Sequence, residues 1–308
     1  MWRTPESTSV DIDGGSIAAL HWTPLDPSGV GGAPTVVAIH GITANAWSWD
    51  PVAHELNGDI DLLAVDLRGR GRSWTEPGPV GLRQHADDVA AVIEQLGGPV
   101  VVVGHSMGTY VALLLAERHP AAVRSLVLVD GGTALYLPDP PVRDDGTVTP
   151  KDEFIDEVLD VSLGPVIERL GKVWPDRASY AAMWAQHPAY VDGIGQELER
   201  ILLADLTETD GGFRVMVDTD AIRLNGSELF ADDEVRSALD RHPEPATIIR
   251  AEFGLMGTPP PLIADDMVDR YPQHRWIRAD ALNHYTVMNS TRGSTIVADE
   301  IRHAVAVL

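Results

Sequence analysis

A serine lies between two glycines in the pentapeptide GHSMG (residues 104–108), directly after four consecutive valines. This G-x-S-x-G pattern, placed between a buried strand and a helix, is typical of a sharp turn that exposes a nucleophilic hydroxyl. Small residues on both sides are expected because the strand and helix backbones come very close there. The helix that starts at the turn favours developing negative charge through its dipole. We therefore predict that Ser106 is a nucleophile.

A serine nucleophile needs a general base that accepts its proton. In proteins that carry this turn, the base histidine comes late in the chain. The stretch ADALNHYTVMNS places His284 in a loop between the last predicted strand and the last predicted helix. Among eleven histidines, we predict His284 as the base because it combines this order and this loop. His105, next to the serine, is expected to be a packing residue.

Two backbone N–H groups are needed to hold the oxyanion that forms when a serine attacks a carbonyl. We predict the N–H of Met107, directly after the serine, as one donor. The second is expected from the loop after the strand TVVAIHG, where the N–H of Ile42 is the best placed. Chemistry of this kind requires no metal or organic cofactor, and we predict neither.

The elements that must position these residues alternate between strands and helices. The segments TVVAIHG, DLLAVDLRG, PVVVVGHS, VRSLVLVDGG, PATIIRAE and HRWIRADA read as strands, and their nearly continuous apolar runs indicate burial on both faces. The segments GLRQHADDVAAVIEQLGG, SMGTYVALLLAERHP, PLIADDMVDRYP and STIVADEIRHAVAVL read as helices. A hairpin turn at Asp13-Gly14-Gly15 precedes them, followed by a loop at residues 25–34. The pattern predicts an α/β fold with a mostly parallel central sheet and flanking helices.

This alternation is interrupted between residues 133 and 243. The segments KDEFIDEVLDVSLGPVIERLGKVW, ASYAAMWAQHPAYVDGIGQELERILLADL and SELFADDEVRSALDRH look helical and amphipathic, with few strand-like runs between them. We therefore predict a core domain made of residues 1–132 and 244–308, with residues 133–243 inserted as a helical cap.

The chain resembles the α/β-hydrolase superfamily, near its esterase, lactonase and C–C hydrolase branches. The resemblance covers the whole chain and is carried by IHGITANAW, VDLRGRGRS, GHSMG, LVLVDGG and the final NH loop. It implies a Ser-His-acid triad and a cap that covers the serine. Cap residues Met183, Trp184 and Tyr190, together with Trp47 beyond the oxyanion loop, are then expected to contact the substrate. The arginines of VDLRGRGRS are predicted to hold a structural loop.

The acid of the triad is the point at which the sequence departs from its relatives. Most members similar to this chain carry an aspartate after the seventh strand, but the aligned position here is Gly254. A minority, including some lactonases, carry the acid at the strand end occupied here by Asp130, 24 residues after Ser106. We predict Asp130 as the acid. Glu252, in the usual loop, is the alternative, and Asp280 is a further one.

The resemblance also bears on the reaction. Haloalkane dehalogenases and epoxide hydrolases of this fold use an aspartate at the turn, so Ser106 favours acyl chemistry. We predict a serine hydrolase that cleaves a carboxylic ester or lactone of small to medium size and largely apolar character. The alternatives are a C–C bond hydrolase of the ring-cleavage-product type with the same triad, and a catalytically silent member that binds a small ligand.

Composition limits the class of partner. The formal net charge of −23 disfavours nucleic acid and anionic membranes as partners, because like charges repel. The chain contains no cysteine, which excludes disulfides and thiolate chemistry. No run approaches the ~20 apolar residues of a membrane span, and the first residues lack the apolar segment of a secretory signal. We expect a cytoplasmic protein that acts on a small molecule, and a homo-oligomer is compatible with this.

Overall fold

The computed structural model describes residues 4–24 and 33–307. Most of the loop predicted at residues 25–34 therefore lies outside the described residues. Eight strands form the central sheet: β1 (Glu6–Ile12), β2 (Gly15–Trp22), β3 (Thr35–Ile39), β4 (Asp61–Val65), β5 (Val100–His105), β6 (Val123–Val129), β9 (Thr247–Phe253) and β10 (Arg275–Asn283). Their order across the sheet is β1-β2-β4-β3-β5-β6-β9-β10. β1 and β2 pair antiparallel to their neighbours, and all the other pairs are parallel. The predicted fold class is confirmed.

Helices cover the two faces of the sheet: α1 (Asp50–Glu55), α2 (Leu82–Gln95), α3 (Met107–Arg118), α10 (Met267–Arg270), α11 (Thr286–Asn289) and α12 (Thr291–Ala306). The valines of β5 show how the strand period of two divides the core between the faces. Val100 and Val102 pack in one buried cluster with α2 and α3, whereas Val101 and Val103 pack in a second cluster with α1 and α12. An uninterrupted valine run is thus the expected sequence of a strand buried on both faces.

The predicted hairpin is present between β1 and β2. Ile12 pairs with Gly15, which leaves Asp13-Gly14 as a two-residue loop. Gly14 has a φ of +76°, a conformation that glycine adopts without steric cost.

Residues between β6 and β9 form six helices and a small hairpin: α4 (Lys151–Ser162), α5 (Gly164–Gly171), α6 (Arg177–Trp184), α7 (Gln196–Leu203), β7 (Leu206–Thr209), β8 (Gly212–Val215), α8 (Thr219–Ala231) and α9 (Asp233–Arg236). Much of this segment packs in a third cluster that includes Trp174, Tyr180, Trp184 and Tyr190. Its last part differs, since Leu229 and Val235 pack in the main core with α2 and α3.

Two predictions about local structure were wrong. The segment PLIADDMVDRYP was expected to be a helix, but only the four residues of α10 are helical. Residues 262–266 form bends and a turn, and Pro272 restricts the backbone of Tyr271, which ends the helix at Arg270. The β7–β8 hairpin was missed because two four-residue strands are too short to show a period.

No described helix is both long and apolar enough to cross a membrane.

Candidate active site

Ser106 occupies the turn between β5 and α3 in a strained backbone conformation, with a φ of +53° and a ψ of −121°. Its N–H donates to the Val129 carbonyl of the neighbouring strand at 2.9 Å. A Cβ at Gly104 would collide with the Gly108 carbonyl, and a Cβ at Gly108 would collide with the Ile39 carbonyl. The glycines on either side of the serine are therefore required by direct backbone contacts, as the sequence predicted.

The structure brings Ser106, His284 and Asp130 together. His284 lies directly after β10, and its Nε2 is 3.0 Å from the Ser106 Oγ. Its Nδ1 is 2.6 Å from Oδ2 of Asp130, which follows β6. A carboxylate accepts only, so Nδ1 carries the proton and Nε2 is left to accept from the serine hydroxyl. The carboxyl ends of neighbouring parallel strands meet at one edge of the sheet, which explains the convergence.

Asp130 is fully buried and is attached to β9 at two points. Its N–H donates to the Ile249 carbonyl at 2.7 Å, and its Oδ1 accepts from the Ala251 N–H at 2.9 Å. Both carboxylate oxygens therefore have hydrogen-bond partners, which a buried charge requires. The residue has a φ of +48°, so this orientation is held in spite of an unfavourable backbone conformation.

The alternative acids lie elsewhere. The Glu252 carboxylate accepts from the Ala281 N–H at 2.6 Å and from Arg278 at 3.0 Å. These bonds, first the one from Ala281, lower the pKa of Glu252. Asp280 pairs with Arg278 at 2.7 Å. At Gly254, where most relatives carry the acid, a Cβ would collide with the Pro260 carbonyl, so a side chain does not fit there.

The loop after β3 passes directly over the serine. A Cβ at Gly41 would lie 3.2 Å from the Ser106 Cβ. Ile42 and Met107 both line the cavity into which the serine opens. Met107 is the first residue of α3, so its N–H has no partner within the helix. The Ile42 N–H donates to no other described group. Both N–H groups are therefore available to a bound oxyanion.

His40 and Arg70 hold this loop in place through hydrogen bonds to its carbonyl groups. His40 is buried, with Nδ1 2.7 Å from the Gly41 carbonyl and Nε2 accepting from the Leu67 N–H at 3.1 Å. Arg70 is also buried and donates through Nε to the Ile42 carbonyl at 3.0 Å and through Nη2 to Oδ1 of Asn225 at 2.6 Å. Burial lowers the pKa of Arg70 to about 9, so the side chain stays charged at neutral pH.

The arginines of VDLRGRGRS therefore act as hydrogen-bond donors to other groups of the protein. Arg68 pairs with Asp88 at 2.6 Å, and Arg72 donates to the Ala19 carbonyl at 2.8 Å. The sequence predicted a structural loop here, and these contacts agree with that prediction. The sequence gave no sign that Arg70 joins the loop after β3 to helix α8, because Asn225 is 155 residues from Arg70 along the chain.

His105 packs within the turn, as expected, and it also contacts the predicted base. Its Nε2 donates to the His284 carbonyl at 3.0 Å, and the two ring centroids are 4.8 Å apart. Burial holds the pKa of His105 well below its ordinary value, so the ring is neutral. His105 thus fixes the backbone of His284, a role that the sequence did not indicate.

A cavity of about 300 Å³ opens onto Ser106 and His284. Trp184 and Tyr190, two of the predicted substrate contacts, line it. The other two predicted contacts, Trp47 and Met183, are not among the lining residues. Trp47 packs against the core cluster beside α1, with the Arg200 guanidinium 5.6 Å from its ring centroid, and the half-buried Met183 packs against the third cluster.

The sequence missed several lining residues, among them Asn45, Asp205 and Tyr285. Asn45 follows the oxyanion loop and Tyr285 follows the base, so proximity in sequence could have indicated both. Asp205 could not be found in this way. Across residues 4–24 and 33–307, no group of three His, Asp or Glu side chains is arranged to hold a metal ion.

Comparisons with known proteins place this geometry in context. A family model described as alpha/beta hydrolase fold matches residues 34–157. Lipase LipV of Mycobacterium tuberculosis is 43% identical over 121 residues, which are 39% of this chain and 44% of that protein. An esterase of the same organism is 39% identical over 121 residues, which are 39% of this chain and 38% of that protein. The match thus spans less than half the length of these curated relatives.

The crystal structure of an E-2-(acetamidomethylene)succinate hydrolase is similar over nearly the whole chain. It has a TM-score of 0.76 at 21% identity, with 98% of this chain and 99% of that chain covered. At this sequence identity the likeness shows a shared fold and nothing further.

The acid can be tested with a matched pair of variants. Asp130→Asn keeps the shape of the side chain but favours the wrong histidine tautomer, so we expect a fluorophosphonate to label Ser106 about 10⁴-fold more slowly. Glu252→Gln should label at close to the wild-type rate. The measurement is the second-order labelling rate at neutral pH, with circular dichroism to show that each variant is folded. A slow Glu252→Gln and a normal Asp130→Asn would reverse the assignment.

Buried histidines also predict acid sensitivity. Burial lowers the pKa of His40 to about 3 and holds those of His85 and His105 well below 6.5. Below pH 6.5 these histidines bind protons in the unfolded chain but not in the folded chain, so their contribution to stability is complete above pH 6.5 and is lost as the pH falls below it. Each such histidine contributes a slope of about 1.4 kcal/mol per pH unit.

We therefore expect His40→Gln to lose about 1.4 kcal/mol per pH unit of this slope. The free energy of unfolding in urea, measured from pH 7 to pH 5, gives the slope, and His303→Gln on the surface serves as the control. An unchanged slope in His40→Gln would show that His40 is protonated equally in both states.

Proposed function

We propose that this chain, which has the α/β-hydrolase fold, is a serine hydrolase that cleaves carboxylic esters or lactones through an acyl-serine intermediate. The observation that carries this proposal is the contact chain in which His284 lies 3.0 Å from the Ser106 Oγ and 2.6 Å from Asp130. A hydroxyl with an adjacent base, and a base with an adjacent orienting acid, is the arrangement that activates a serine.

The reaction follows from these positions. His284 Nε2 takes the Ser106 proton while Oγ attacks the substrate carbonyl, and Asp130 stabilises the imidazolium that forms. The negative charge moves to the former carbonyl oxygen, where the N–H groups of Ile42 and Met107 hold it. As the carbonyl re-forms, the bond to the alkoxy group breaks and His284 returns the proton to the leaving alcohol. A water molecule then repeats the sequence on the acyl-serine and releases the acid.

The cavity supports a substrate without a carboxylate. Its walls are mostly apolar, from residues such as Ile42, Leu163, Val166 and Leu229, and no Lys or Arg is among the described residues that line it. A carboxylate bound there would lose its hydration without gaining a cation, which is costly. The succinate named for the structurally similar hydrolase is thus a poor model for the substrate of this chain. The proposed substrate is a small molecule of largely apolar character.

The position of Asp130 also weakens the alternative of a catalytically silent binding protein. The reason for that alternative is the absence of the usual acid at Gly254, directly after β9. A buried carboxylate in contact with His284 Nδ1 fills the same chemical role from the neighbouring strand end.

Turnover of p-nitrophenyl butyrate, of a medium-ring lactone and of p-nitrophenyl hydrogen succinate tests the proposal. We expect hydrolysis of the first two and little hydrolysis of the anionic ester, since its charge stays unpaired in the cavity. Ser106→Ala should lower kcat by about 10⁶-fold. A vinylogous diketone is included to detect carbon–carbon bond cleavage. If that compound alone is turned over, or if Ser106→Ala keeps full activity, the proposed reaction is wrong.

A further inference from the structure

One carboxyl group faces the cavity without a use in the proposed mechanism. Asp205 lies between the end of α7 and the start of β7, on the insertion side of the cavity. Among the described residues that line the cavity, it is the single Asp, Glu, Lys or Arg. A lone carboxyl in a mostly apolar wall is a costly feature that packing alone does not explain.

The Asp205 side chain is held from the core. The Asn45 Nδ2 donates to its Oδ1. The Asn45 amide is itself fixed, because its Oδ1 accepts from the Trp47 N–H at 2.9 Å. The backbone of Asp205 is tied as well, since its carbonyl accepts from the Met216 N–H at 2.9 Å. The carboxyl is therefore positioned in advance of any ligand.

The second oxygen of this carboxyl is left open. Within the described ranges, Oδ2 of Asp205 accepts no hydrogen bond, and no Lys, Arg or His forms an ion pair with the residue. Burial, with a further contribution from the nearby Asp66 charge, raises the pKa of Asp205 to about 8. The free protein thus holds a carboxyl that lacks a countercharge.

Aromatic rings line the same cavity. The rings of Trp184, Tyr190 and Tyr285 lie within 6.2 Å of one another, measured between centroids, and all three residues line the cavity. Aromatic faces attract cations. One face of the Trp184 ring is occupied by the Arg169 guanidinium, 4.7 Å from its centroid, so the ligand cation is expected at Tyr190 and Tyr285. A net charge of −23 further raises the local concentration of small cations.

We propose that Asp205 and the aromatic rings of the same cavity form a subsite for the ammonium group of the substrate, so that the protein acts on esters or lactones whose apolar body carries a protonated amine. This inference rests on the proposed function and deepens it. The ammonium group supplies the countercharge that Asp205 lacks and donates to its Oδ2. A neutral alcohol of similar shape can donate to that oxygen but supplies no countercharge.

Binding can be tested separately from catalysis. Isothermal titration calorimetry of hexan-1-amine, hexan-1-ol and hexanoate compares a cation, a neutral group and an anion on the same chain. At pH 8 we expect the amine to bind about tenfold more tightly than the alcohol, because of one charge-assisted hydrogen bond, and hexanoate to bind most weakly. Asp205→Asn should reduce the ratio of amine to alcohol to about one, since the asparagine still accepts from Asn45 but carries no charge.

Asp210→Asn is the matched control, because it removes the same charge at the exposed turn of the β7–β8 hairpin. It should keep the wild-type preference. Equal affinity for amine and alcohol in the wild type, or a preference that survives in Asp205→Asn, overturns the subsite.

The wild type alone provides a second arm. An alkylamine stays protonated up to about pH 10.4, as lysine does. Below pH 8 the amine must displace the proton on Asp205, so its affinity should rise from pH 6 to pH 8 while that of the alcohol stays constant. A flat profile for the amine contradicts the proposal, even if Asp205→Asn does not fold. Because calorimetry does not require turnover, ammonium binding without ester hydrolysis would refute the proposed reaction and leave the subsite standing.

Discussion

The hydrogen bond between the His284 imidazole and the buried Asp130 carboxylate determines what the rest of the site can do. It fixes which ring nitrogen carries the proton, and thereby leaves the other nitrogen to accept from Ser106. A carboxylate with no exposed surface is stable only if both of its oxygens are bound, and the Ala251 N–H and His284 meet that need. The acid, the base and the serine are thus mutually dependent: removing one leaves a buried group without its partner.

This arrangement depends on close backbone approach at the carboxyl edge of the sheet. Gly104 and Gly108 allow the turn around Ser106 to press against its neighbours, and Gly41 allows the oxyanion loop to pass over it. The same crowding closes the position after β9, where Gly254 contacts the Pro260 carbonyl. Position 254 after β9 therefore has no room for a side chain, and the acid lies at the end of β6 instead.

Two polar contacts join the inserted segment to the loop that follows β3. Arg70 bonds the Ile42 carbonyl and Asn225 of α8, and Asn45 bonds Asp205 next to β7. Each contact joins the loop that follows β3 to a different part of the insertion. A shift of the insertion would therefore displace the predicted oxyanion donors as well as the walls of the cavity.

Much of the fold and of the candidate site could be predicted because the signals are local. The valine run, the glycines around Ser106 and the Asp13-Gly14 turn each reflect a requirement of a few neighbouring residues. The choice among Asp130, Glu252 and Asp280 could only be ranked, since it depends on which strand ends meet in space. Trp47 and Met183 were predicted to contact the substrate. The sequence of a short segment does not show which of its side chains face the cavity. Asp205 was missed because its partner Asn45 is 160 residues away.

The most direct test of the central claim is a crystal structure of the protein after reaction with a small alkyl fluorophosphonate. We expect a covalent bond to the Ser106 Oγ, the phosphonyl oxygen about 3 Å from the N–H groups of Ile42 and Met107, and His284 still bonded to Asp130. A structure in which His284 contacts Glu252 or another carboxylate, or in which the phosphonyl oxygen points away from both N–H groups, would contradict it.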